Sequence, residues 1–209
     1  MYDEYVSVML IGRYRFFSAA KAGPLDTPAA AMDCMIERNQ GEAMFELKPQ
    51  EYASKEAHYA DLLQQARGLM AGEHDLIANA ANFSALVYHS LPRLNWAGFY
   101  LYDGRELVLG PFQGKPACIR IALGRGVCGT AAQTRETQLV ADVNAFAGHI
   151  ACDAASQSEI VVPLVRDDGS LLGVWDVDRP ISRRFDDQDR AGMQALCAVF
   201  MASLASAIK

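Results

Sequence analysis

Trp96-Ala-Gly-Phe-Tyr100-Leu-Tyr-Asp103-Gly104 is the stretch on which the fold turns. Before it the apolar residues recur with a helical period; here they alternate. Trp96, Gly98, Tyr100 and Tyr102 fall on one side of an extended chain, and Ala97, Phe99 and Leu101 on the other. Asp103-Gly104 is a turn signal, and Glu106 to Leu109 reads as the returning strand of a hairpin.

Upstream, Tyr59, Leu62, Leu63, Ala66, Leu69 and Met70 make a helical stripe between Gln50 and Met70. A second helix is expected from Asp75 to His89, with Leu76, Ala80, Phe83 and Val87 on one face and Leu91-Pro92 closing it. Downstream, Pro111 to Pro116 reads as a loop and Ala117 to Ile121 as a short strand with Cys118 and Arg120 on one face. The glycine-rich Gly124-Arg-Gly-Val-Cys128-Gly-Thr130 leads into a short helix, and Gln138 to Asp142 is a strand. A polar loop from Gly148 to Glu159 follows. Ile160 to Arg166 and Leu171 to Val177 then form a hairpin, on which Val174, Asp176 and Asp178 share a side.

The last helix is expected from about Phe185, with Asp186, Asp187 and Asp189 favouring its positive end. Met193, Leu196, Cys197, Phe200, Met201, Leu204 and Ile208 form its buried stripe. This order predicts an α+β sandwich: a mostly antiparallel sheet, long helices on one face, and loops enclosing a small-molecule site on the other. Residues 44–209 make this domain, and residues 1–43 an extension that is partly helical or poorly ordered.

Composition narrows the function. The 209-residue chain is 51% apolar and 21% charged, with a net charge of −6 and no basic cluster, which argues against nucleic acid as a partner. No apolar run approaches the ~20 residues that cross a bilayer. Asp3 and Glu4 stand where a secretory signal would be basic. A cytoplasmic location is expected, where thiols stay reduced. The five cysteines are Cys34, Cys118, Cys128, Cys152 and Cys197, an odd and widely spaced set unlike a disulfide scaffold. Cys197 lies within an apolar helical stripe and behaves as a small hydrophobe. Cys118, Cys128 and Cys152 fall in loop-like contexts in the middle third of the chain.

Three chemistries compete for those thiols. The glycines around Arg125 suggest a phosphate loop, but the Lys-Ser/Thr of that motif is missing and a tight turn into a helix explains them. Cys118, Cys128, His149 and Cys152 include zinc-ligating types, yet lack the closely paired spacing of structural zinc sites, so no metal is expected. Redox chemistry fits best. A protonated His149 and loop N–H groups near Cys152 are candidate devices for favouring thiolate, and Cys118, in a separate loop beside two prolines and a glycine, is a candidate for the second thiol that would resolve an oxidised intermediate. Trp96 and Tyr100 are core aromatics or the walls of a box for a methyl or thioether group. Glu159, Asp176 and Asp178 are solvated strand ends or an acidic cluster that binds an ammonium group and donates a proton.

Trp96-Ala-Gly-Phe-Tyr100, Pro111-Phe-Gln-Gly-Lys-Pro-Ala-Cys118, Gly124-Arg-Gly-Val-Cys-Gly129, Gly148-His-Ile-Ala-Cys152, Ser158-Glu-Ile-Val-Val-Pro163 and Gly173-Val-Trp-Asp-Val-Asp178 occur in that order. Together they closely resemble the free methionine-(R)-sulfoxide reductases, which are GAF-domain enzymes. The resemblance runs from about residue 50 to the C-terminus. It implies that Cys152 attacks the sulfoxide sulfur and becomes a sulfenic acid, that Cys118 resolves it as a disulfide, and that thioredoxin reduces the disulfide. Cys128 is then a secondary thiol. Trp96, Tyr100, Glu159, Asp176 and Asp178 match the family's substrate pocket. No cofactor is implied, and a homodimer is in keeping with many GAF domains. Ala147 stands where a proline is common, and Trp175 where a smaller apolar residue is usual; Trp175 is expected on the strand face opposite Asp176. The alternative is a non-catalytic GAF sensor of a small ligand or of redox state. Such a sensor would normally be fused to an output domain, for which 209 residues leave no room.

Overall fold

The computed structural model describes residues 51–146, 148 and 155–205, all within the unit Phe45–Lys209. The expected extension 1–43, with Cys34, lies outside the described residues, as do His149, Cys152 and Ile208.

The element order is α1 (Lys55–Leu69), α2 (Leu76–Ser90), β1 (Trp96–Tyr102), β2 (Leu107–Gly114), β3 (Arg120–Ile121), α3 (Gly126–Thr134), β4 (Gln138–Val140), β5 (Ser158–Val165), β6 (Leu171–Arg179) and α4 (Asp187–Ala205). The strands form one six-stranded sheet in the order β3-β2-β1-β6-β5-β4. Every pairing in it is antiparallel. Strand β6 lies between β1 and β5 and is buried along its whole length, as its unbroken apolar and acidic sequence requires.

Two cores flank the sheet. On one side α1, α2 and α4 cover Ala97, Phe99, Ile160, Val162, Leu164, Trp175 and Val177. On the other, Trp96, Tyr100, Val161 and Val174 pack with Val127, Cys128, Ala131 and Ala132 of α3. Trp175 is on the helical side, as expected, between Phe83 and Phe99 with ring centroids 4.7 and 4.6 Å away.

The helices start where capping chemistry dictates. Ser54 accepts a hydrogen bond from Ala57 N, and Asp75 one from Ala78 N. At the entry to α4, Asp186 Oδ1 accepts from Asp189 N while Asp189 Oδ2 accepts from Asp186 N, a reciprocal box that sets the start at Asp187 rather than Phe185. Asp189 also receives Tyr59 Oη at 3.0 Å and Lys55 Nζ at 2.6 Å, tying α1 to α4.

Two expectations about the hairpin edge need correction. Strand β2 does not end at Leu109 but continues to Gly114, through what reads as a loop. Gly98 pairs with Phe112 and Tyr100 with Leu109, so Gly110-Pro111 oppose Phe99 as a bulge. A bulge tolerates proline, which has no N–H for the ladder. Beyond it, Pro116 ends pairing, and the strand expected over 117–121 shrinks to Arg120–Ile121. Cys118 therefore precedes the edge strand instead of lying on it.

Candidate active site

The sheet register assembles the site on the α3 side. In one row across the sheet, Trp96 of β1 pairs with Asp178 of β6, and Asp178 with Glu159 of β5. In the next, Gly98 pairs with Asp176, and Asp176 with Val161. In the third, Tyr100 pairs with Val174. Alternation then points Trp96, Tyr100, Glu159, Asp176 and Asp178 to one face. All five sequence-predicted substrate residues are buried there.

Gly98 shapes the aromatic part. A Cβ on it would stand 2.7 Å from the Trp96 ring and 2.3 Å from Phe112 Cβ. The Trp96 ring occupies the space a side chain would take. It stacks on Tyr100 at 5.8 Å and 23°, and on Phe112 at 5.3 Å and 13°. Its Nε1 donates to Lys115 O at 3.2 Å, which fixes the ring's orientation. Phe112 is a wall residue that reading by period misses, because the Gly110-Pro111 bulge interrupts the alternation.

The polar part centres on Asp176. Helix α3 begins with Gly126 in the left-handed region at φ 61°, and Gly129 lies so close to the preceding chain that a Cβ would be 2.4 Å from Ala122 O. These glycines serve the turn and the close approach. They seat Cys128, which is in the first turn of α3 and not in a loop, directly over the acids. Cys128 Sγ donates to Asp176 Oδ2 at 3.2 Å and lies 3.8 Å from Glu159 Oε1. Asp176 is only 6% exposed, yet its Oδ1 has no hydrogen-bond partner among the described residues.

Burial governs the protonation of this group. It pushes Glu159 well above the usual carboxyl range, reinforced by the charges of Asp176 and Asp178. It lifts Asp176 to about 7, although hydrogen bonds from Cys128 and Glu159 pull the other way. Burial therefore favours the protonated form of both carboxyl groups. Burial, then Asp176 and Glu159, also hold the Cys128 thiol well above its ordinary value. Cys128 is thus a proton donor to Asp176 and a poor thiolate. Cys118 is half-buried at the margin of the same core. Cys152, the predicted nucleophile, lies outside the described residues.

A six-stranded antiparallel sheet backed by helices is the arrangement of a GAF domain, and the family model for that domain matches residues 75–204. Free methionine-R-sulfoxide reductase of Escherichia coli is 53% identical over 145 residues, covering 69% of this chain and 87% of that protein. A solved structure of free methionine-R-sulfoxide reductase from Neisseria meningitidis with its substrate is 40% identical, with a TM-score of 0.72, over 77% of this chain and 95% of that one. A structure described as a GAF sensor protein from Burkholderia vietnamiensis is 71% identical, with a TM-score of 0.71, over 74% of this chain and all of that one. The chain belongs to the GAF-domain family and, within it, to the free methionine-R-sulfoxide reductases. No helix among the described residues is long and apolar enough to cross a membrane.

Proposed function

We propose that this chain reduces free L-methionine (R)-S-oxide to L-methionine, with thioredoxin as the electron donor, in the reducing environment of the cytoplasm. The observation that carries the reading is the union of two chemistries on one sheet face. Trp96, Tyr100 and Phe112 offer a flat apolar wall to a methyl group. Glu159, Asp176 and Asp178 offer an acidic floor, in which Asp176 Oδ1, without a hydrogen-bond partner among the described residues, is an acceptor for an ammonium group. A free amino acid carries both groups, whereas a residue within a polypeptide has no ammonium.

The reaction follows from these parts. The Cys152 thiolate attacks the sulfoxide sulfur. A sulfoxide oxygen leaves only once protonated, and a carboxyl group that burial keeps protonated, Glu159 or Asp176, meets that need. Attack forms a bond between the Cys152 sulfur and the methionine sulfur. The protonated oxygen then passes as hydroxyl from the methionine sulfur to the Cys152 sulfur, the sulfur–sulfur bond breaks with its electron pair going to methionine, and Cys152 is left as a sulfenic acid. The Cys118 thiol attacks the sulfenic sulfur, water is released, and a Cys118–Cys152 disulfide forms. Thioredoxin's two thiols reduce it. Cys128 supports this cycle as a secondary thiol that donates to Asp176.

The rival reading, a ligand or redox sensor, is favoured by the description of the Burkholderia relative. One assay separates the two. Purified protein is given the free R-sulfoxide, the S epimer and a peptide sulfoxide with thioredoxin recycling. Turnover of the free R form alone supports the reductase, and no turnover of any rejects it. Cys152→Ser abolishes turnover, while Cys118→Ser blocks recycling and spares a single turnover.

A further inference from the structure

The cluster above Asp176 has a geometry that ammonium binding does not require. Cys128 Sγ stands 3.2 Å from Asp176 Oδ2 and 3.8 Å from Glu159 Oε1. One such atom from each of the three buried residues lies within 4.8 Å of the others. In a tetrahedral zinc site, bonds of about 2.3 Å to sulfur and about 2.1 Å to oxygen set neighbouring ligand atoms roughly 3.6 Å apart. The two observed separations bracket that value. Independently, Asp176 is 94% buried in this cluster, since it is 6% exposed, and its Oδ1 has no hydrogen-bond partner among the described residues. One sulfur and two carboxylates make a mixed donor set. Mg²⁺ and Ca²⁺ seek six or more oxygen ligands, whereas Zn²⁺ accepts sulfur and oxygen together at coordination number four.

We propose that Cys128, Glu159 and Asp176 form an inhibitory site for Zn²⁺, which enters where the substrate's ammonium group would sit. Binding releases the thiol proton and whatever protons the two carboxyl groups hold, and the cation takes their place; nothing is oxidised or reduced. The three residues fill three positions and leave the fourth for water. The metal site stands on the coordinates of the three side chains. Its competition with the amino-acid sulfoxide rests also on the reading of these acids as ammonium acceptors.

The test separates those two parts. A variant with Cys34, Cys118 and Cys152 changed to Ser keeps only Cys128 and the core thiol Cys197. Co²⁺ is added first, then ZnCl₂ in competition with a chromophoric chelator, with no sulfoxide present. Expected are one metal per chain, a thiolate-to-cobalt charge-transfer band, and a loss of zinc affinity of at least about tenfold on adding either Cys128→Ser or Asp176→Asn. Both replacements keep the side-chain shape, and a cooperative melt shows which variants are folded. The absence of the band, or zinc affinity unchanged by the folded variants, overturns the site. In the second part, pre-reduced wild-type protein performs a single turnover with added zinc and no other thiol present. Relief of inhibition by excess sulfoxide supports the shared position, and inhibition indifferent to sulfoxide overturns it. Wild-type protein inert toward sulfoxide without zinc would count against the reductase and leave the metal titration to stand by itself.

Discussion

Asp176 and Glu159 lie together out of water, and at neutral pH their charge is a cost to the fold. Burial raises both carboxyl groups, Asp176 to about 7 and Glu159 in the same direction. A carboxyl raised in the folded state binds its proton more tightly there than in the unfolded chain. The native state is then most favoured below the ordinary carboxyl value near 4, and that advantage is lost as pH climbs to about 7 and beyond. Glu159→Gln mimics the protonated acid and cannot ionise. Its melting temperature is expected to exceed that of the parent by several degrees at about pH 8, and the gap should close toward about pH 5. Turnover should fall by about a hundredfold or more if Glu159 is the proposed proton donor. Thermal melts across that range check the first part, and a gap that did not vary with pH would refute the buried-proton account.

At the scale of the element, β1 works because Gly98 is bare. A methyl there would have to push apart Phe112 Cβ at 2.3 Å and the Trp96 ring at 2.7 Å. Gly98→Ala is expected to destabilise by about 2–3 kcal/mol and to raise KM for the sulfoxide severalfold, since the stack that it disrupts is the proposed methyl wall. Gly68 lies on the solvent side of α1, where an added methyl would meet nothing within 4 Å, so Gly68→Ala should stabilise by about 0.5–1 kcal/mol with KM unchanged. Urea midpoints at constant slope measure both changes.

This strand also marks how far reading by pattern reaches. Two-residue alternation placed Trp96, Tyr100, Asp176 and Asp178 on the correct side of their strands, and Trp175 on the other. The spacing of Tyr59, Leu62 and Ala66 located α1 in the same way. What eluded the pattern are contacts with no period. The bulge at Gly110-Pro111 hid Phe112. The meeting of Cys128 with Asp176, 48 residues further along the chain, depends on how α3 lies over the sheet.

For the domain as a whole, the sheet divides the labour. Its helical side holds the larger apolar core, and the α3 side holds the acids, the aromatic wall and Cys128. Changes far from the α3 side should then alter stability without altering recognition. The α1–α4 tie offers that experiment. Asp189 is 2% exposed and satisfied by Lys55 Nζ at 2.6 Å, Tyr59 Oη at 3.0 Å and Asp186 N at 3.0 Å. Asp189→Ala leaves the buried Tyr59 hydroxyl unpaired and removes the N-terminal box of α4. Lys55, a third exposed at its side chain, recovers water, so its share of the loss is small. The expected cost is about 2–3 kcal/mol, most of it from the stranded hydroxyl and the lost cap. Tyr59→Phe, which deletes that hydroxyl, should cost about 1 kcal/mol, and adding it to Asp189→Ala should cost less than the sum because the stranded group is then absent. Below the melting transition, KM for the sulfoxide should stay within about twofold of the parent in all three variants, because neither residue lies on the α3 face. Steady-state kinetics beside melts provide the check, and a KM that rose in step with the lost stability would show that the two faces are coupled through the sheet.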